Sequence, residues 1–205
     1  MSDDEILYRN ETLRSIRGRH SVRQFTDQPI RDDDISTILN AANHAPSAHN
    51  QQSWRFTVLS GGKKMELAKL VVDKCTEFPR PTSALLRMAA RSIASAPVVI
   101  SVMNTGDLIS RGAHLFEIDN ESARDFFRIM EIQSSAAAVE NMLIAATSLG
   151  LSSVWLGILI TMQKDVLTFL GNPAGEFMAV IPMGYAARPS AGPKKRSLKD
   201  VVRYE

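Results

Sequence analysis

The sequence predicts one α/β-type domain, a small sheet covered by helices, and three observations lead there. The chain has 205 residues, enough for one sizeable core and short for two ordinary domains. Apolar runs of strand length begin at about 54, 97, 153 and 177, with helical periods between them. No internal repeat, low-complexity segment or linker divides the chain, so residues 1–205 are expected to form a single domain.

In order, residues 4–18 read as a helix with Ile6, Leu7, Leu13 and Ile16 on one side, ending near Gly18. A basic stretch, Arg19–Phe25, and a turn at Asp27-Gln28-Pro29 follow. Asp32-Asp33-Asp34 supply cap candidates and negative charge for a first helical turn. Ile35, Ile38, Leu39 and Ala42 continue at i, i+3, i+4, i+7. That helix should stop by Ala45, because the residue before Pro46 is pushed out of the helical region. Pro46–Ser53 is a polar loop, and Trp54–Leu59, aromatic and β-branched, is a strand. Gly61-Gly62 turns the chain into a helix over about 63–77; without the upstream glycine or a Ser/Thr after the lysine it is no P-loop.

Pro79 and Pro81 break the next segment, and a helix over about 83–94 leads to the buried strand Ala96–Met103. Residues 104–120 have no clean period and are predicted to be a long loop or lid. From 121 to 149 the pattern is helical, with Ile132, Ala136, Val139, Leu143 and Ala146 stepping by 4, 3, 4, 3. Small residues on its other faces imply cover around much of the helix, part of it from a second copy. Gly150 is its expected stop, with Leu151 as hydrophobic follower. A strand over Ser153–Ile160, a helix over 163–170 and a strand over Phe177–Tyr185 complete the pattern. The tail from Arg188 is basic, and becomes apolar-alternating only at Leu198, Val201 and Val202.

Composition narrows the function. Apolar residues at 44% and charged residues at 22% describe a globular chain. A formal net charge of +2 argues for neither nucleic acid nor membrane as partner, and no apolar run approaches a spanning helix. One cysteine, Cys75, excludes an intrachain disulfide, and four histidines without local Cys/His spacing predict no metal site. The acidic N-terminus lacks a secretory pattern, so a reducing cytoplasm is expected. No Gly-x-Ser-x-Gly nucleophile elbow is present.

The candidate site starts at Arg19-His20-Ser21-Val22-Arg23-Gln24-Phe25. If extended, this stretch projects residues 19, 21 and 23 to one face: two guanidinium groups flanking a hydroxyl, suited to an anionic ligand. Alone, such a segment reads more readily as a solvated basic turn. Further along, Ala45-Pro46-Ser47-Ala48-His49-Asn50-Gln51-Gln52-Ser53-Trp54-Arg55-Phe56, the stop Leu149-Gly150-Leu151, and Gly184-Tyr185 followed by Pro193-Lys194-Lys195-Arg196 occur in that order. Together with Arg19-x-Ser21-x-Arg23-x-Phe25, they resemble the flavin-dependent nitroreductase family over roughly residues 15–202.

The resemblance implies an α+β fold of three-layer α/β/α type, a central mixed sheet flanked by helices, in an intertwined homodimer with FMN at each subunit interface. Arg19, Lys194 and Arg196 match the family's phosphate and ribityl contacts, and the phosphate's charge of about −1.5 to −2 suits them. His20 and Ser21 lie along the cofactor, and Arg23 matches the cation near N1 and O2 of the ring, where it would raise the reduction potential. Pro46, Ser47, Ala48 and Asn50 match a segment reaching the flavin from the other subunit. Trp155, Leu156 and Gly157 match the segment near N5, where a backbone N–H can donate. No side chain is expected to act as a nucleophile. Ser53 stands where the family usually has proline, and Leu156 where some bacterial members carry glutamate.

The implied activity is hydride transfer from NADH or NADPH to the flavin and then, in a second half-reaction, to a nitroaromatic, quinone or similar small acceptor. The 104–120 segment would be the lid and 188–205 a tail packing on the partner. The same scaffold supports reductive dehalogenation, flavin breakdown, or flavin binding without turnover. A dehalogenase lid needs an acid, a tyrosine and a lysine; 104–120 holds Glu117 but neither of the others.

Overall fold

The computed structural model describes residues 8–115 and 119–205. Helix α1 (Glu11–Gly18) precedes α2 (Asp32–Asn43), and a 3₁₀ turn (Ala48–Asn50) leads into β1 (Trp54–Ser60). Helix α3 (Gly61–Lys74) and a 3₁₀ turn (Cys75–Glu77) come next, then α4 (Thr82–Ser95) and β2 (Val98–Asn104). Helix α5 (Asp107–Leu115) and the long α6 (Asn120–Ser148) lead to a short β3 (Ser152–Ser153) and a 3₁₀ helix (Gly157–Met162). Helix α7 (Gln163–Phe169), β4 (Glu176–Gly184) and a 3₁₀ turn (Leu198–Asp200) close the chain.

The sheet runs β1-β2-β4-β3, and each neighbouring pair of these strands is antiparallel. The expected mixture of directions comes from one parallel bridge, Ser21 to Ser153, which lays the basic segment along the β3 edge. β2 is buried along its whole length, as a strand covered on both faces must be. Alternation divides it: Val99 and Met103 enter one core with Leu67, Leu86, Ile93, Leu159 and Phe177. Val98, Ile100 and Val102 enter the other with Ile38, Val139, Met142 and Ile181. Helices α3, α4 and α7 therefore cover one face and α2 and α6 the other, the expected three layers. A register shift between Val102 and Met103 explains how Phe177 and Val180 share a core although they are three residues apart.

Helix α6 ends as its sequence predicts. Gly150 takes φ +76°, the Leu151 amide donates to Ala146 O at 2.9 Å, and buried Leu151 packs in the same core as Leu143 and Ala146. Three segments differ from expectation. The N-terminal helix begins at Glu11, because Asn10 caps it by accepting from the Leu13 amide; the portion predicted over 4–7 lies outside the described residues. The run 153–160 is not a strand throughout. Val154 and Leu156 donate to Pro182 and Val180, but Pro182 has no N–H to return, and the chain coils into a 3₁₀ helix from Gly157. The 104–120 stretch is helical at Asp107–Leu115, and its start is held by a buried carboxylate, Glu131, accepting from the Leu108 amide at 2.8 Å. That partner comes from α6, so no local period announces it. Residues 116–118 lie outside the described residues.

Candidate active site

The Arg19–Phe25 segment is extended and tied down through its backbone. The Val22 amide donates to Ser153 O at 3.0 Å, and Phe25 bridges Ala186, with the Thr26 amide on Tyr185 O and the Ala187 amide on Gln24 O. Val22 and Phe25 are buried, so the anchoring side chains turn inward while Ser21 and Arg23 face solvent. At about 3.3 Å per residue, Arg19 and Arg23 stand roughly 13 Å apart along the strand, enough for two ends of one extended ligand.

At the Arg19 end the tail folds back. Arg17, Arg19, His20, Lys194, Lys195 and Arg196 line one cavity of about 670 Å³, with the 190–193 stretch forming part of its wall. His20 is the clasp. Its Nδ1 lies 2.9 Å from Gly18 O, which can only accept, so Nδ1 carries the proton, while Nε2 meets Ser190 Oγ at 2.9 Å. Tail and segment touch so closely that a Cβ on Gly192 would come 2.9 Å from His20 Cβ, which is why glycine stands there. Glu140 of α6 orients Arg19, its Oε1 3.3 Å from Arg19 Nε.

At the other end, Arg23 lines a smaller cavity of about 170 Å³ with Leu85, Met88, Ala89, Trp155, Leu156, Gly157 and Ile158. The Leu156 amide is spent on Val180 O at 2.9 Å and its side chain is buried in the core. The Gly157 amide, in the first turn of a 3₁₀ helix, has no intrahelical acceptor, so among the described residues it is the better placed donor of the two.

Pro46, Ser47, Ala48 and Asn50 line none of these cavities. Their loop is fixed elsewhere: the Ala48 amide donates to Ser134 Oγ, Ser47 Oγ accepts from the Gln52 amide, and Arg111 of α5 reaches Gln51 Oε1 at 3.0 Å. His49, Asn50 and Gln52 take φ of +53°, +51° and +52°, a conformation that non-glycine residues adopt at a cost and that clusters at ligand sites. The structure thus brings Arg19, His20, Lys194 and Arg196 together, and Arg23 with Trp155, Leu156 and Gly157. Exposed Ser21 stands between the two groups, and the 46–50 loop stands apart. The sequence predicts helix α4 but not that its Leu85 and Met88 line the Arg23 cavity, nor the Ser190 clasp; neither carries a local signal. Among the described residues no group of three or more His, Cys, Asp or Glu side chains could hold a metal ion, and no helix is long and apolar enough to cross a membrane.

An extended segment carrying cations, roofed at one end by a basic tail and at the other by a helix, has the charge and reach to hold an extended anionic ligand. The family follows from comparison: the Nitroreductase family model matches residues 16–185, and the chain belongs to that family. A protein from Archaeoglobus fulgidus, provisionally named an NADH dehydrogenase/NAD(P)H nitroreductase, is 30% identical over 181 residues, 85% of each chain. The structure of a nitroreductase with bound FMN from Bacteroides fragilis is 26% identical, with a TM-score of 0.72 over 96% of this chain and 99% of its own. The FMN-dependent nitroreductase NfnB from Mycobacterium smegmatis, solved in complex with NADPH, shares the fold at 19% identity, with a TM-score of 0.75 over 95% and 98% of the two chains.

Proposed function

We propose that this chain is an FMN-dependent oxidoreductase that takes electrons from NADH or NADPH and passes them to a nitroaromatic, quinone or similar electron-poor acceptor. The observation that carries the reading is the pair of cavities strung along Arg19–Arg23. One is crowded with guanidinium and ammonium groups, and the other is largely apolar with a single cation at its edge. That donor set fits FMN, whose phosphate suits the first and whose planar ring suits the second. Family membership and the names of the relatives point the same way.

When bound, FMN supplies the chemistry, accepting a hydride from the reduced nicotinamide and giving two electrons to the acceptor in a separate half-reaction. The chain binds and tunes. Arg19, Lys194 and Arg196 would hold the phosphate by charge-assisted bonds, with His20 keeping the tail closed over it and Ser21 offering a hydroxyl midway. Arg23, at the edge of the apolar cavity, would place a fixed positive charge near the ring and so make it easier to reduce. From the Trp155–Gly157 segment, the Gly157 amide would be the backbone donor to the ring edge. No side chain is needed as nucleophile.

The 46–50 loop points to a second chain. Held against α6 through Ala48 and against α5 through neighbouring Gln51, with His49 and Asn50 at positive φ, it lies away from its own Arg23 cavity, so Pro46, Ser47, Ala48 and Asn50 would complete the site of a partner in a homodimer. Helix α5, bonded to that loop, would form the lid, in a single domain spanning 1–205 whose tail lies against its own Arg19 and His20 as far as Arg196 and would pack on the partner beyond it. The cytoplasm is the proposed location. Purified protein should be yellow and should oxidise NADH or NADPH in the presence of menadione or nitrofurazone. Protein that neither carries nor takes up FMN would overturn the reading at its base. Yellow protein without turnover would leave only a flavin-binding role.

A further inference from the structure

A third cavity, of about 610 Å³, lies between α4 and the basic segment, and shares no residue with the Arg19 cavity. Arg23, Gln24 and Phe25 line it from the segment, Met88, Arg91, Ser92 and Ser95 from α4, and Ala187 from the chain after β4. None of the eight is acidic. We propose that this cavity is a second anion site, and that its ligand is a small aromatic carboxylate.

Charge carries the first part of the argument. Elsewhere the helices place a carboxylate within a turn of a cation: Lys63 reaches Glu66 and Lys69 reaches Asp73 on α3. Helix α4 holds Arg87 and Arg91 four residues apart and no acidic residue at all, an arrangement that costs helix stability. Among the described residues neither Arg91 nor Arg23 has a hydrogen bond or ion pair, so two guanidinium groups line one recess uncompensated. An oxyanion is the group that both would bind.

The remaining lining selects the kind of anion. Ser92 and Ser95 donate their hydroxyl protons to Met88 O and Ser92 O, so the donors left for a ligand are the guanidinium groups and the Gln24 amide. The two guanidinium groups are planar forks matched to a carboxylate, and the Gln24 amide adds a neutral donor. Phe25 and Met88 supply an apolar wall for the body behind it. A phosphate ester would be drawn instead to the more cationic cavity around Arg19.

Arg23 lines both this recess and the smaller cavity of Trp155 and Gly157, so a ligand here lies next to the proposed ring site. Resting on the oxidoreductase reading, the carboxylate would belong to the electron acceptor, with Arg91 setting specificity. Calorimetric titration of the purified protein tests this, with benzoate as probe and benzamide as the neutral counterpart. Benzoate should bind at least about tenfold more tightly than benzamide, as a charge-assisted bond requires. Arg91→Ala should weaken benzoate by a similar factor, and Arg91→Lys should restore part of the loss. Equal binding of benzoate and benzamide, or benzoate binding indifferent to Arg91, would overturn the site. Arg91-dependent binding of inorganic phosphate without benzoate would overturn its assignment to a carboxylate. Flavin absorbance and NAD(P)H oxidation report separately: Arg91-dependent benzoate binding in a protein without flavin turnover would sustain the anion site while the oxidoreductase reading fell.

Discussion

At the scale of single residues, most of what organises the site is contact at short range between parts of the chain far apart in sequence. His20 and Gly192 are the clearest pair. The imidazole bridges Gly18 O and Ser190 Oγ, and the missing Cβ of Gly192 lets the tail lie against it. Gly192→Val would force His20 and the tail apart and displace Lys194 and Arg196 without touching either core. Each charge-assisted bond lost is worth about 1.5–3 kcal/mol, so FMN affinity should fall by roughly tenfold or more, read by fluorescence titration. The melting temperature should scarcely move, because residues 188–205 are exposed. An unchanged affinity would detach the tail from the phosphate site.

Among the elements, helix ends decide where α5 and α6 begin. Asp119 caps α6, accepting from the Ser122 amide at 2.9 Å and the Glu121 amide at 3.1 Å. These bonds, Ser122's above all, hold its carboxyl below the ordinary carboxylate range. The folded value is depressed, so its contribution to stability is complete above the unfolded value near ~3.9 and is lost as pH falls through the folded one. Asp119→Asn keeps a capping oxygen but cannot titrate. Urea unfolding at a series of pH values should show a shallower loss of stability below pH ~4 in the variant. Parallel curves would mean that Asp119 plays no part in acid sensitivity.

The whole molecule leaves its tail without cover. Leu198, Val201 and Tyr204 are 53%, 57% and 92% exposed, and Phe126 and Ile129 on α6 are half exposed. Scattered apolar residues at a surface are ordinary, but a run of them on an extended tail needs something to lie on. If that is a second copy, burying Leu198 and Val201 contributes about 1.5–3 kcal/mol per side chain. The double variant Leu198→Asp, Val201→Asp should then sediment as a monomer and retain less FMN, since each site would lose the partner's 46–50 loop. A dimer of undiminished mass and flavin content would place the interface elsewhere.

Much of this architecture is written locally. The four strand positions, the helices between them and the Gly150 stop follow from spacing and turn chemistry acting over a few residues, and the structure reproduces them within a residue or two. Where it departs, a remote partner intervened: Pro182 opposite Val154 ended a strand early, and Glu131 helped to hold as a helix what reads as a loop. The site divides in the same way. Arg19, Ser21 and Arg23 were legible as alternating outward groups on an extended segment, because alternation is a property of the strand itself. That Arg19 meets Lys194 and Arg196, and that α4 brings Arg91 beside Arg23, depends on sheet order and on which edge the segment joins. Those are set by the burial of two cores across the whole chain. By itself the sequence determined the elements, the charges and the family pattern; only the packing of distant segments decided which cations share a cavity.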